Sequence, residues 1–432
     1  MAQFVLRQCV CRGLVVFCFA SFVGLSIASA QAVFEQPPID YLKAEPHDAI
    51  TRLQQRLDRG EVKLEFQRQH GYLKSVLAEL HVPDSSQILV FSKTSFQLRR
   101  ISPTTPRAIY FNDEVYVGWV QGGDVMEVST VDPQLGANFY TLSQRHSTTP
   151  KFKRHTHECL QCHASPMTMS VPGHAVRSVY TAPDGQPLLE HPSYVTDSAS
   201  PFRQRWGGWY VSGTHGAQRH LGNLVVRQAD DPSQLDLERG ANVLDLEKFF
   251  DTSPYLTPHS DIVALMLIEH HSKLHNVLTQ ANFSARLALR DQLVLNEMLK
   301  RAPDFETEST ALRLRKAADA VVQQLLCTGE QPLTDPVKGT STFADDYMAL
   351  RKPDTRGRSL RDLDLHRRIF KYPCSPLIYS EAFNGLPDGL RRLIFQRLAE
   401  VLNNDGDDDF GHLSIADRVA IREILSDTCP EF

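Results

Sequence analysis

Residues 107–120 read RAIYFNDEVYVGWV: two runs of β-branched and aromatic residues on either side of Asn112-Asp113. Such side chains suit a pleated, half-buried surface, and an Asn-Asp pair between two runs suits a two-residue hairpin turn. The texture continues outward. Upstream lies QILVFSKTSFQL (87–98); downstream, QGG turns into DVMEVSTV (124–131), and ANFYTL (137–142) follows. The expectation is an antiparallel meander forming a small sheet. Phe111, Tyr116 and Trp119 are read as sheet core in preference to packing around a cofactor.

Ahead of the meander, residues 33–47 are extended and proline-bearing. Apolar residues at three- and four-residue spacing then predict short helices over Asp48–Leu57 and Tyr72–His81, with Pro83 closing the second. The meander is followed by a basic connector, STTPKFKRHTH (147–157), and then by Cys159-Leu160-Gln161-Cys162-His163. Cys-x-x-Cys-His is the attachment signature of a c-type haem. Two thiols at this spacing form thioether bonds to one porphyrin, and the adjoining imidazole supplies the proximal ligand to its iron. With 8 Cys and 17 His in 432 residues, a chance match has a probability of about 0.006. The expected cofactor is one covalent haem c on Cys159 and Cys162, with His163 on the iron.

Compartment decides whether that chemistry is available. Residues 1–30 carry Arg7 and Arg12, an apolar run GLVVFCFASFVGLSI, and ASA ending at Ala30. That is the pattern of a cleaved signal peptide; the run is shorter than the roughly 20 residues a spanning helix needs. An exported, periplasmic location follows, with no membrane span in the mature chain. In an oxidising space Cys-x-x-Cys can also be a disulfide, but His163 follows it and no thioredoxin-like βαβ context surrounds it. Cys327, Cys374 and Cys429 remain, and three thiols allow at most one internal pair. The formal charge of −5 gives no reason to expect nucleic acid.

Beyond the motif, VPGHAVRSVYTAPDGQPLL (171–189) and RWGGWYVSGTHGAQRHLGNLVVR (205–227) are glycine-punctuated strand material. From about 236 the pattern is helical. The longest helix is expected after Pro258, capped by Ser260 and reaching about residue 300, with a possible break. Further helices are expected near 309–327, 387–403 and 414–426, the last with capping-box spacing between Ser414 and Asp417. The fold class is therefore α+β, in four stretches: a leader (1–30), a short helical segment (31–85), a β-rich haem-attachment region (86–235) and a helical region (236–432).

A class I cytochrome c does not account for this order. Its motif lies on a first helix and its distal Met some tens of residues later, whereas here Met167 and Met169 are only four and six residues past His163. Met266 falls in an apolar helix, where Met is usually core filler. Candidate distal ligands are histidines. His270 shares an apolar helical face with Val263, Met266, Leu267, Leu274 and Val277, and an inward imidazole needs a partner. His270 ranks first as tentative distal ligand, then His275, His215, His220 and His174, and an open sixth position stays in play. His271 and His275, at i and i+4, also suit a divalent metal. For any one of these histidines, ordinary hydrogen bonding is the commoner explanation. Arg177, Arg203, Arg205 and Arg219 match propionates chemically, with surface solvation as the default for each.

Two patterns are set aside. NNDGDDDFGHLS (403–414) places Phe410 where a calcium loop needs its Gly, and Ala416 where it needs its Glu. Asn282-Phe283-Ser284 is a sequon inside a helical pattern.

PRAIYFNDEVYVGWVQGGDVMEVSTVDPQLGANFYTL, HECLQCHAS, WGGWYVSGTHGAQRHLGN, SPYLTPHSDIVALM and CSPLIYSEAFNGLP with HLSIADRVAIREIL together resemble a group of exported bacterial cytochrome-c-like proteins. The resemblance runs from about residue 86 to the C-terminus. It implies one c-type haem, here on Cys159, Cys162 and His163, and no established reaction.

Three functions follow as expectations. The first is electron transfer to an unidentified redox partner. The second is a haem enzyme or small-ligand sensor acting on peroxide, nitrogen oxides or thiols. The third is a haem-free exported binding protein whose Cys-x-x-Cys is a disulfide or metal clip.

Overall fold

A computed structural model describes residues 33–432 apart from 228, 229, 405 and 407; the expected leader lies outside the described residues. The meander forms β1 (Ile88–Val90), β2 (Arg107–Phe111), β3 (Val115–Trp119), β4 (Val125–Asp132), β5 (Gly136–Ser143) and β6 (Phe152–Arg154). Each strand pairs antiparallel with the next. β7 (Val176–Val179) and β8 (Ser193–Thr196) make a separate ribbon, and β9 (Trp209–Tyr210) returns to the far edge of the main sheet beside β1. The α+β class with a large antiparallel sheet and C-terminal helices is thus the observed one. The second β segment is thinner than expected: most of 205–227 is turn and loop, because its glycines supply bends in place of a continuous ladder.

The β2–β3 turn is also one residue further on than expected. Asn112 N donates to Val115 O (3.1 Å), so the two turn residues are Asp113 and Glu114. The Asn112 side chain takes the N–H groups of both Glu114 and Val115, an Asx turn that fixes the register.

Alternation along the strands gives the sheet two apolar faces. Tyr110, Val117, Trp119, Val128, Tyr140 and Leu142 pack with α1 (Ala49–Asp58) and α2 (Leu73–Glu79). Asp48 caps α1 through Thr51 N (2.8 Å) and is buried, accepting also from Asn138 Nδ2 and the Tyr140 hydroxyl. On the opposite face Phe111, Tyr116 and Val131 join the helical core. The motif itself makes a single turn, α3 (Leu160–His163).

The axis of that core is α4 (Ile262–Met298), an unbroken helix of 37 residues, about 55 Å long at 1.5 Å per residue. Its cap is Asp261, which accepts from Val263 N and Ala264 N. Ser260 is instead a stitch between strands, donating to Tyr210 O and accepting from Leu89 N. Residues 236–261 are short 3₁₀ turns and loop, not helix. α5 (Glu308–Leu325), α6 (Phe343–Ala349), the single turn α7 (Glu381–Asn384), α8 (Asp388–Asn403) and α9 (Ile415–Thr428) follow, with the expected Ser414–Asp417 capping box. α4 packs against α5, α5 against α8, and α8 against α9. Enclosed by the sheet and these helices, the first half of α4 is buried almost all round, its histidines included. Among the described residues no helix is long and apolar enough to cross a membrane.

Candidate functional site

The motif turn sits on a small apolar cluster of Phe34, Tyr41, Ala137, Phe139, Leu160, Val171 and Phe283, which Cys159 and Ala164 flank. Leu160 anchors it, while Cys162 is exposed and Cys159 half-buried; both are free thiols, as are Cys327, Cys374 and Cys429. Burial pushes the Cys159 thiol up to about 11, with Glu127 and Glu158 adding to the effect and Arg107 opposing it.

The chain then reverses through Ser165–Ser170 and comes back to meet the motif. Gly173 N donates to His163 O (2.8 Å), and His163 Nδ1 donates to Gly173 O (2.9 Å). A carbonyl can only accept, so Nδ1 carries the hydrogen and Nε2 the lone pair. Phe139 lies against the ring, with centroids 4.6 Å apart. Burial lowers the pKa of His163, which favours the neutral imidazole that metal binding needs. The returning loop is itself clamped by α4: Asn276 accepts from His174 N (2.9 Å) and donates to His174 O (2.7 Å). Ala137 N donates to Pro172 O from β5. Orientation of the motif histidine thus depends on the sheet and on the long helix together.

Beside the motif, Arg107 and Glu127 pair across β2 and β4 (2.7 Å) at side-chain exposures of 19% and 16%. Arg107 lies over Gly118, where an added Cβ would meet its guanidinium at 2.3 Å. Gln97 ties the preceding loop to Glu127 and to Val125 O, leaving Phe96 and Leu98 on the surface. Sequence reasoning passed over Arg107, whose only signal was an odd charge opening a buried strand.

Of the four arginines considered for propionates, Arg205 and Arg219 are already engaged. Arg205 is buried, bonding Glu269 Oε2 (3.2 Å), Ser198 O and Ser200 O. Arg219 forks onto Glu238. Arg177 lies on β7, and Arg203 belongs to a 3₁₀ turn.

The ranked histidines are interior residues. His270 Nε2 bonds Ser375 Oγ (2.7 Å) and its ring packs on Phe370. His275 Nδ1 pairs with the Tyr116 hydroxyl (3.0 Å). His215 Nδ1 donates to Gln218 O while its Nε2 accepts from Asn242 N, and His220 Nδ1 accepts from Gly222 N. His174 Nε2 pairs with Ser129 Oγ (2.6 Å). Of these only His174 has its ring next to that of His163, at 6.5 Å. From there a row runs inward, His174 to His275 (6.5 Å), His275 to His271 (6.3 Å) and His271 to His270 (6.1 Å). Burial pushes His270 down to about 4 and His275 to about 3. The structure therefore does not bring His270 or His275 beside His163; both are tied into the core by side chains the sequence pattern does not reveal. Among the described residues no group of three or more His, Cys, Asp or Glu is arranged to hold a metal ion. His155, next to the motif, is buried against Thr141 Oγ1 (2.8 Å).

No protein-family model matches the chain, and no curated protein or solved structure matches it.

Proposed function

We propose that this is an exported redox protein carrying one haem c, held by thioether bonds to Cys159 and Cys162 with His163 on the iron, and that it transfers electrons to a partner. The observation that carries the reading is the double clamp between His163 and Gly173. It fixes the tautomer that leaves Nε2 as ligand, and an outer hydrogen bond of this kind raises ligand basicity and sets ring orientation. The donors present fit the group: two unpaired thiols, one exposed, on the same helical turn as that imidazole. Cys159 is not an activated thiolate, since burial raises it. A disulfide-exchange motif would instead lower such a thiol, which speaks against a thiol-exchange role for this turn. When bound, the haem would supply one-electron chemistry; the chain supplies attachment, orientation and the buried Phe139 and Leu160 behind it.

A second reading is a haem enzyme or ligand sensor. It is favoured by one observation: the histidines ranked for the sixth position are interior and already hydrogen-bonded. Exported protein should show a covalent α-band in its reduced spectrum, and haem that acid acetone does not extract. Absence of both sinks the proposal. A CO-induced shift of a high-spin spectrum would select the sensor or enzyme; indifference to CO would select the carrier.

A further inference from the structure

The row of rings behind the motif contains more polar capacity than packing needs. Tyr116 is buried, with its ring 4.3 Å from His174 and its hydroxyl 3.0 Å from His275 Nδ1. With His275 neutral, the phenol donates and Nε2 of His275 carries the other hydrogen. That Nε2 makes no hydrogen bond of good geometry, although the Asp113 carbonyl acts on the ring. Nor is one made by His174 Nδ1, either nitrogen of His271, or His270 Nδ1. A buried polar atom left unpaired is costly, and here several stand in one contiguous row. Simple satisfaction of a core tyrosine would need one acceptor, not a file of imidazoles.

We propose that Tyr116 and His275 form a redox-active pair, which supplies an electron to the motif and moves the phenol proton to His275 in the same step. The Tyr116 O–H bond breaks and an N–H bond forms at His275 Nδ1. The electron leaves through the His174 ring towards the Cys159–His163 turn, and a neutral phenoxyl remains facing an imidazolium. Keeping the proton within the hydrogen bond avoids a phenol radical cation, which is a far stronger acid than the imidazolium that replaces it. The natural oxidant is a haem at the motif oxidised by peroxide; to that extent the inference rests on the second of the two haem readings.

The test separates the inference from that reading. A full-length chain with Cys9, Cys11, Cys18, Cys159 and Cys429 changed to serine keeps Cys162 as its exposed thiol, Cys327 and Cys374 being buried. A ruthenium polypyridyl photo-oxidant attached there replaces the haem as oxidant. After flash and oxidative quenching, transient electron paramagnetic resonance should show a tyrosyl radical, and its formation should slow in D₂O because a proton moves with the electron. Tyr116→Phe should abolish the signal, Tyr347→Phe should keep it, and His275→Leu should remove the isotope effect. A radical that persists unchanged in Tyr116→Phe overturns the proposal, as does a labelled parent that forms no tyrosyl radical. Should Tyr116→Phe fail to fold, the parent decides: formation without a solvent isotope effect excludes the coupled transfer. Exported wild-type protein lacking an α-band would remove the haem assignment and leave the flash result standing.

Discussion

Gly173 holds His163 at two points, donating its N–H to the His163 carbonyl at 2.8 Å and accepting from the ring Nδ1 at 2.9 Å. The close approach leaves no room for a side chain. A Cβ at Gly173 would come within 2.1 Å of Asn276 Oδ1, the group that holds the His174 backbone. Gly173→Ala should therefore cost about 1–3 kcal/mol, the usual range for overpacking, and loosen the orientation of His163. Urea unfolding checks the first effect. A broadened or shifted α-band in exported protein checks the second, and an unaltered band would show that the clamp does not set the ring.

One residue before His270, Glu269 faces Arg205 at 3.2 Å, and both side chains are almost wholly enclosed. Burial pushes the Glu269 carboxyl up to about 7 although Arg205 opposes it. Breaking such a pair leaves a buried carboxyl without its partner, so Arg205→Met should cost about 3–5 kcal/mol. Arg205→Met with Glu269→Leu should recover much of it. If thermal unfolding finds the double variant no better than the single one, the loss comes from the Ser198 and Ser200 contacts and not from the stranded carboxyl.

The buried histidines set the acid side of the stability profile. In the unfolded chain imidazoles take up protons near pH 6.5, whereas folded His270 and His275 do so only near 4 and 3. Between those limits the unfolded state binds more protons, so stability falls as pH drops from about 6.5 towards 4. His163, His174, His220 and His271 are lowered in the same direction. Glu269 acts oppositely: its folded carboxyl retains a proton that the unfolded chain loses above about 4.5, so its contribution declines as pH rises from there to about 7. More histidines than carboxyls are involved, and the melting temperature should drop on acidification. A flat profile between pH 7 and 4 would contradict the burial of these rings.

His270→Ala separates a core role from an iron ligand. His270 bonds Ser375 and packs on Phe370, so the variant should lose about 2–4 kcal/mol as a truncated core side chain with an orphaned partner. Its reduced and oxidised spectra should match wild type. A change from low to high spin would restore His270 as an axial ligand.

Much of this protein was legible in its sequence because the responsible forces are local. Runs of β-branched and aromatic residues marked the strands of the meander, three- and four-residue spacing marked the helices, and Ser414 with Asp417 gave a cap that the structure reproduces. Local competition accounts for the near misses. Asp261 outbids Ser260 as cap because Ser260 is drawn to Leu89 N and Tyr210 O. Asn112 moves the turn one residue on by taking two N–H groups with its side chain.

The three residues Cys159, Cys162 and His163 are a matter of spacing, and the sequence alone presented them together. It could not say which nitrogen of His163 faces outward, because that depends on a carbonyl ten residues away, brought back by a loop that α4 clamps through Asn276. Nor could it place His270 and His275, whose partners Ser375 and Tyr116 are distant in the chain. Periodicity reports that a side chain points inward; only the tertiary packing decides what it meets there.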